Sequence, residues 1–400
     1  MTDFLNEAKQ LFSYTQAMRR DFHMHPELGF KEIRTGGIVA KELEALGLEV
    51  TKGVGKTGVV GLLEGAKPGP TLLIRFDMDA LPMSEDTGAE YASQTPGVMH
   101  ACGHDGHTAI GLTVARMLHA HREDLAGTVK FCFQPSEEGF NGEEMGGAEM
   151  MMRDGVLDGP RVDKTLSLHL WNEKPLGWVN VAKGPVMAGA EQFTIKLTGK
   201  GGHGAAPHTT FDPIVTAAHI VTALQTIASR NVAPLHAAVI SVTTLHSGTA
   251  FNIIPQEAEL TGTIRTFDLS VRKMVLERFE QIVRGIAETQ QCRVDINIQR
   301  VTPAVINNDT VAAKVQATAR RLFPETELDT SNYLTMGAED MAFMQEKVDG
   351  CYFFIGSNNN EQGLNYSHHH PKFDFDEEAL VRGSALMASA VADMLSPGQA

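Results

Sequence analysis

The chain is predicted to be an α/β protein, with a mixed sheet covered by helices and an inserted ferredoxin-like domain. Three observations carry this expectation. Short apolar strands alternate with helical runs over roughly the first 170 residues, an order that predicts a sheet with helices on both faces. Beyond that the pattern changes: Phe193, Ile195 and Leu197 alternate with Gln192, Thr194, Lys196 and Thr198, the period of a half-buried strand. After Thr302 the mixed pattern of the first segment returns.

Element by element, Leu5, Ala8, Leu11 and Phe12 fall in helical register, and a second helical run covers Glu32 to Leu46 and stops at Gly47. Strands are expected at Gly58 to Leu63 and Thr71 to Phe76, a helix at Gly106 to Ala120, and buried strands at Thr128 to Phe133 and Asp163 to Leu170. In open α/β sheets the chemistry gathers in loops beyond the strand ends. Asp77 and Asp79 follow one such strand, Glu137 and Glu138 the next, and His169 stands at the end of a third.

The inserted segment continues with a helix from Pro213 to Ser229 and a strand from Ala237 to Thr244. Ala258, Leu260, Gly262 and Ile264 then mark a half-buried strand. Val271, Val275, Phe279, Ile282 and Ile286 line one face of a helix, and Val294, Ile296 and Ile298 mark a last strand. The order β-α-β-β-α-β is the ferredoxin-like split motif. It places the inserted domain at 187–301 and leaves 1–186 and 302–400 to the first domain. Helices from Thr310 to Leu322 and Ala338 to Gln345, a strand from Cys351 to Ile355 and a final helix from Asp376 to Met394 complete the chain. The loop between Gly356 and Lys372 carries His368, His369 and His370.

A length of 400 residues suggests two domains. The formal charge of -15, with no basic run, argues against nucleic-acid binding. No stretch approaches the roughly 18 apolar residues of a membrane helix, and the first ten residues lack the pattern of a signal peptide. The four cysteines are too scattered for a disulfide framework. A cytoplasmic protein is the expectation, with Cys102 the one cysteine of chemical interest.

That interest comes from Met99-His100-Ala101-Cys102-Gly103-His104-Asp105-Gly106-His107, which concentrates imidazole, thiol and carboxylate, the ligand types of borderline divalent metals. Adjacent carboxylates such as Glu137-Glu138 are ordinarily solvated. Here they follow the apolar Phe131-Cys132-Phe133, where burial is costly unless a cation or proton compensates them. With a metal present, one can ligate while the other serves as general base. Asp77 and Asp79 point to the same side of an extended chain and either cap a turn or face the site. His169 and one or two of the three consecutive histidines are candidates to complete the ligand set.

Gly199-Lys200-Gly201-Gly202-His203-Gly204 fits the dinucleotide pattern G-x-G-x-x-G. Pro207 and Pro213 delay the helix that the motif needs, and no acidic residue lies between Asp212 and Glu257. The glycines therefore read as a loop presenting His203 or His208. Arg265, on an inserted strand, is either a surface charge or a clamp for a substrate carboxylate.

Together these segments resemble the hippurate hydrolase and aminoacylase-type metallopeptidases, especially bacterial N-acyl-amino-acid amidohydrolases similar to indole-acetyl-amino-acid hydrolases. The resemblance runs from about residue 15 to 390. It rests on Phe22-His23-Met24-His25-Pro26-Glu27, Arg75-Phe76-Asp77-Met78-Asp79-Ala80-Leu81-Pro82, His100-Ala101-Cys102-Gly103-His104-Asp105 and Phe133-Gln134-Pro135-Ser136-Glu137-Glu138-Gly139. Lys200-Gly201-Gly202-His203-Gly204, Phe251-Asn252-Ile253-Ile254-Pro255 and Gly337-Ala338-Glu339-Asp340 also match.

The resemblance implies hydrolysis of the amide bond of small N-acyl amino acids by a metal-activated water. It implies two divalent ions per subunit (zinc, manganese, cobalt or nickel) and an inserted lid domain through which the subunits form homodimers or higher oligomers. Carried over by position, Cys102, His104, Glu138, His169 and His369 correspond to metal ligands, His369 because it stands two residues before Pro371. Glu137 corresponds to the general base, Asp79 to the assisting acid, and His203 to an oxyanion donor commonly supplied by the partner subunit. Asn252 and Arg265 correspond to substrate-positioning residues. The chain departs from the wider superfamily at Asp77, where a ligand histidine is usual, and at His368, where the branch usually has Leu. Two rival readings compete: a non-catalytic metal-containing binder of acylated amino acids or peptides, and a thiol hydrolase using Cys102 as nucleophile. Hippurate, N-acetyl amino acids and N-acyl-diaminopimelate all fit the same motifs.

Overall fold

The computed structural model describes residues 2–139, 141–325 and 328–396. It divides into a larger unit, running to Val186 with Ile306–Tyr333 and from Asp340 onward, and a smaller one, Met187–Val305 with Leu334–Glu339. The chain opens with α1 (Phe4–Gln10), α2 (Phe12–Met24) and α3 (Ile33–Ala45), then β1 (Glu49–Val54), β2 (Gly58–Glu64) and β3 (Lys67–Asp77). There follow α4 (His104–Ala120), β4 (Ala126–Gln134), α5 (Gly147–Arg153), β5 (Lys164–Pro175) and the short β6 (Val179–Asn180). The smaller unit contributes β7 (Gly189–Thr198), α6 (Pro213–Thr226), β8 (Ala238–Ser247), β9 (Glu257–Thr266), α7 (Leu269–Thr289) and β10 (Arg293–Thr302). The larger unit resumes with α8 (Asp309–Leu322), β11 (Leu328–Asp329), α9 (Met341–Gln345), β12 (Gly350–Asn358) and α10 (Glu378–Met394).

The larger unit's sheet has the order β1-β2-β4-β3-β5-β12-β6-β11. β4, β3, β5 and β12 run parallel at its centre, while β1, β2 and β6 pair antiparallel toward the edges. Central parallel strands are buried on both faces and read as continuous apolar runs. β4 shows the two faces by alternation. Phe133 packs over Gly111 of α4, whereas the Cys132 thiol lies 3.6 Å from the Met151 sulfur of α5. Gly111 is required there, since a Cβ would stand 2.6 Å from the Phe76 ring.

The sequence reading missed several elements, the two-residue strands β6 and β11 among them. β1 is a largely exposed edge strand without a buried face, and α5 is a single short helix. β5 runs past Leu170 to Pro175, so His169 lies within the strand rather than at its end.

The smaller unit is a four-stranded antiparallel sheet in the order β8-β9-β7-β10 with α6 and α7 packed on one face. Phe193, Ile195 and Leu197 point into that core, with Lys196 exposed between them. Asp212 caps α6 by accepting the Ile214 N–H, with Pro213 in the first turn, and Asp268 caps α7 the same way through Ser270 and Val271. On α7 the buried stripe is Val271, Val275, Phe279, Val283 and Ala287, a straight four-residue spacing, so Ile282 and Ile286 flank it instead of lying on it. The unit also takes in residues beyond the 301 boundary. The Ala188 N–H donates to Thr335 and Gly337 carbonyls, which ties the second crossing of the chain to its first.

Candidate metal centre

The site forms where β3 and β4 end, beside the middle of β5 and the N-terminus of α4. Gly103 takes φ +98° and turns the chain so that His104 opens the helix just after Cys102, a conformation that favours glycine. His104 is buried. Its Nδ1 donates to the Asp79 carbonyl at 2.9 Å, and its Nε2 has no hydrogen-bond partner among the described residues. That Nε2 lies 3.9 Å from a carboxylate oxygen of Glu137 and of Glu138, and 3.7 Å from Asp77. Burial pushes His104 down, but Asp77, Asp79 and Glu138 outweigh it and hold it at about 10. Donation by Nδ1 to an outer acceptor leaves Nε2 as the nitrogen whose proton a cation would displace.

His169 repeats the arrangement. Its Nδ1 faces the Leu170 carbonyl at 2.6 Å, and its Nε2 lies 3.5 Å from the Cys102 sulfur. Burial and the neighbouring His107 and His368 keep its ring well below the ordinary imidazole range, hence neutral. From the C-terminal loop, His369 brings Nε2 to 3.1 Å from Glu138. The Glu138 backbone N–H donates to Asp79, so one acidic side chain fixes the turn that presents both glutamates.

Four groupings of metal-ligating atoms fall within this site: Cys102, His104 and His169; Cys102, Glu138 and His369; His104, Glu137 and Glu138; and Asp77, His104 and His107. In the last, Asp77 and His107 are already engaged. His107 Nδ1 lies 2.6 Å from Asp77, and its Nε2 accepts the Leu170 N–H at 2.9 Å. Asp77 is further engaged by Arg75 at 2.6 Å. Burial pushes the Asp77 carboxyl up, but His104, Arg75 and His107 hold it well below the usual range. Asp77 therefore supports the site from behind. The remaining concentration of carboxylates and thiol in a low-dielectric pocket calls for cations.

The expected ligands Cys102, His104, Glu138, His169 and His369 thus come together, with Glu137 and Asp79 beside them. His203, Asn252 and Arg265 belong to the smaller unit. There, residues 202–203 pair with residues 253–254, and the Gly204 N–H donates to the Asn252 carbonyl at 2.8 Å. His203 and Asn252 are exposed, and Arg265 is half-buried, donating to Thr263 at 3.2 Å. His370 stacks on Tyr366 with ring centroids 4.6 Å apart, away from these groupings.

Several contributors were not visible in the sequence. Glu32, fully buried, accepts the Ser136 N–H at 2.9 Å and the Thr57 hydroxyl at 2.5 Å. It thereby holds Ser136 at φ +49°, immediately before the two glutamates. Burial, then the Asp79 carboxylate, pushes Glu32 up to about 7. Arg19, also fully buried, donates to Asp105 at 2.8 Å and Asp374 at 2.6 Å, bracing the start of α4 against the C-terminal loop. These partners are separated by 86 and 355 positions, and no local pattern announces such a pairing.

The model of Peptidase family M20/M25/M40 matches residues 73–393, and the chain belongs to that family. It is 41% identical to the putative amidohydrolase YhaA of Bacillus subtilis over 373 residues, 93% of this chain and 92% of the other. It is 45% identical to an N-acyl-L-amino acid amidohydrolase of Geobacillus stearothermophilus over 294 residues, 73% and 78% of the two chains. Among solved structures, the Bacillus subtilis YXEP protein, described as a dinuclear metal-binding peptidase of the M20 family, superposes with a TM-score of 0.84 at 35% identity. That match covers 97% of this chain and 99% of the other.

Proposed function

We propose that the protein is a metal-dependent amidohydrolase that cleaves the amide bond of N-acyl amino acids. The observation that carries this reading is a second carboxylate at the site: Glu137 stands 3.9 Å from His104 Nε2, beside the neighbouring Glu138 and the candidate ligands Cys102, His169 and His369. The buried, unpartnered His104 Nε2 and the Cys102–His169 pair fit a divalent cation. Two overlapping groupings that share Cys102 favour a pair of ions. The dinuclear character of the YXEP relative supports the same count. Zinc, manganese, cobalt and nickel all suit mixed thiolate, imidazole and carboxylate donors.

Bound there, the cations supply Lewis acidity that polarises the amide carbonyl and acidifies the attacking water. Glu137 takes the proton from the water and delivers it to the leaving amine. Asp79 orients the site through its contacts to the His104 ring and the Glu138 backbone. In the inserted unit, His203 donates to the oxyanion, and Asn252 and Arg265 hold the substrate, Arg265 as partner of its carboxylate. The activity of the Geobacillus relative supports N-acyl amino acids as the substrate class.

The thiol-hydrolase reading is disfavoured. Burial and the Glu138, Glu137 and Asp77 carboxylates push the Cys102 thiol well up, whereas a nucleophilic cysteine needs the opposite. A homodimer built on the inserted unit is favoured by the exposed Leu235, Leu245, Phe251 and Ile253 and by β8, whose outer edge has no neighbouring strand among the described residues. The four free cysteines favour the cytoplasm.

The test is an assay on hippurate, N-acetyl amino acids and N-acyl-diaminopimelate, before chelation, after it, and with each divalent metal restored. Turnover lost to chelator and regained with metal is the expected result. Turnover that survives complete metal removal would overturn the mechanism. Two metals bound with no turnover on any of these amides would favour a binding protein.

A further inference from the structure

His368 directly precedes His369 on the C-terminal loop, yet it belongs to none of the ligand groupings. Its Nε2 accepts the backbone N–H of Asn172 at 3.2 Å. Its ring packs on Trp171 and on Phe373, with centroids 5.0 Å away in each case, and edge-on to His169 at 5.1 Å. Asn172 follows His169 by three positions on β5 and is 1% exposed. Its Nδ2 donates to the carbonyls of Tyr366 at 2.8 Å and Asp374 at 3.0 Å, and its Oδ1 accepts the Ser357 hydroxyl at 3.0 Å.

One buried asparagine thus pins the loop at residues 366, 368 and 374, on both sides of His369. His369 itself sits at φ +62°, a conformation that a residue with a Cβ adopts only when its surroundings impose it. Its own N–H donates to the Ala101 carbonyl at 2.8 Å, next to Cys102. The strained residue is therefore held between the segment carrying Cys102 and the strand carrying His169.

We propose that His368, gripped by Asn172, is a positioning residue that sets His369 for metal binding and is not itself a ligand. The inference rests on the reading that His369 ligates. Acceptance of the Asn172 N–H occupies the Nε2 lone pair and leaves the proton on Nδ1. Outer partners that orient a ligand are typically worth 10–100-fold in metal affinity.

The experiment titrates the metal-free, full-length protein with Zn²⁺ by calorimetry and with Co²⁺, whose visible spectrum reports thiolate and imidazole ligation. His368→Leu keeps apolar bulk but offers Asn172 no acceptor. It should weaken one of the two sites by about 10–100-fold, with the thiolate-to-cobalt band retained. His368→Gln, whose Oε1 can accept the same N–H, should recover most of that affinity. Wild-type affinity and spectrum in His368→Leu would overturn the proposal. So would complete loss of a site in that variant with His369→Ala unaffected, which would make His368 the ligand. His369→Ala binding both metals as the wild type does, with His368→Leu also unchanged, would overturn the ligand reading and the proposal with it. Should His368→Leu fail to fold, His368→Phe keeps a ring against Trp171 and Phe373 while offering the Asn172 N–H no acceptor. Weakened binding there supports the proposal and unchanged binding overturns it.

Discussion

In the larger unit both buried imidazoles of the candidate centre are fixed through their second nitrogen, His104 on the Asp79 carbonyl and His169 on that of Leu170. In the inserted unit His203 stands exposed on a two-residue strand pairing, Asn252 on the turn just before its second strand, and Arg265 donates to one threonine. Under the proposed function, the difference implies separate tasks for the two units. A metal centre needs several donors within a fraction of an ångström of their places, which demands strand ends and outer partners. Groups that meet only the substrate gain from adaptability and sit on less constrained backbone. Metal affinity should therefore belong to the larger unit, and substrate affinity and oxyanion stabilisation to the inserted one.

The largest effect expected is that of Glu137→Gln, which removes the base and leaves the ligands. Turnover should fall by about 10²–10⁴-fold while both metals remain, as measured by metal analysis alongside steady-state kinetics. Loss of metal in that variant would make Glu137 a ligand and sink the assignment. Next, His203→Ala should lower kcat by about 10²–10³-fold without changing metal affinity. A shift in metal Kd would break the division between the units. Arg265→Ala should mainly raise KM, by about ten- to a hundredfold for a lost charge-assisted hydrogen bond. The effect should vanish with an amide substrate that lacks the free carboxylate; an equal effect on that substrate would show that Arg265 has another task.

Much of this division was legible in the sequence, and what was not has a physical cause. The inserted unit announced itself because one-sided strands alternate strictly, as Phe193, Ile195 and Leu197 do. The candidate site residues were legible because Cys102 and His104, or Glu137 and Glu138, are close in sequence as well as in space. The supporting residues were not. Glu32 reaches Ser136 across 104 positions, and Asn172 reaches Asp374 across 202; each is an ordinary residue type whose importance arises only from the fold. Asp77 shows the same limit from the other side. Its spacing from Asp79 suggested that both face one site, yet its oxygens are taken by Arg75 and His107.

The smallest prediction compares one charged cluster from each unit. Glu42 of α3 accepts from Arg116 of α4 at 2.5 Å and from the Tyr14 hydroxyl of α2 at 2.8 Å, so it ties three helices together at a partly buried point. Partial burial pushes its carboxyl up, but the hydrogen bonds from Arg116 and Tyr14 outweigh that and hold it below its ordinary range. A carboxyl with a lowered folded-state pKa adds stability that is complete above its unfolded-state pKa and is lost as pH falls through the folded value. Glu42→Gln should thus cost about 0.5–1 kcal/mol at neutral pH, after solvent screening of so accessible a pair, and the gap in thermal midpoint from wild type should close on acidification. On the open face of the inserted sheet, Lys196 and Glu259 stand 3.3 Å apart with their side chains 64% and 44% exposed. Solvent screens so exposed a pair, so Glu259→Gln should leave the midpoint unchanged. A larger loss from Glu259→Gln than from Glu42→Gln would mean that the inserted face is covered in solution.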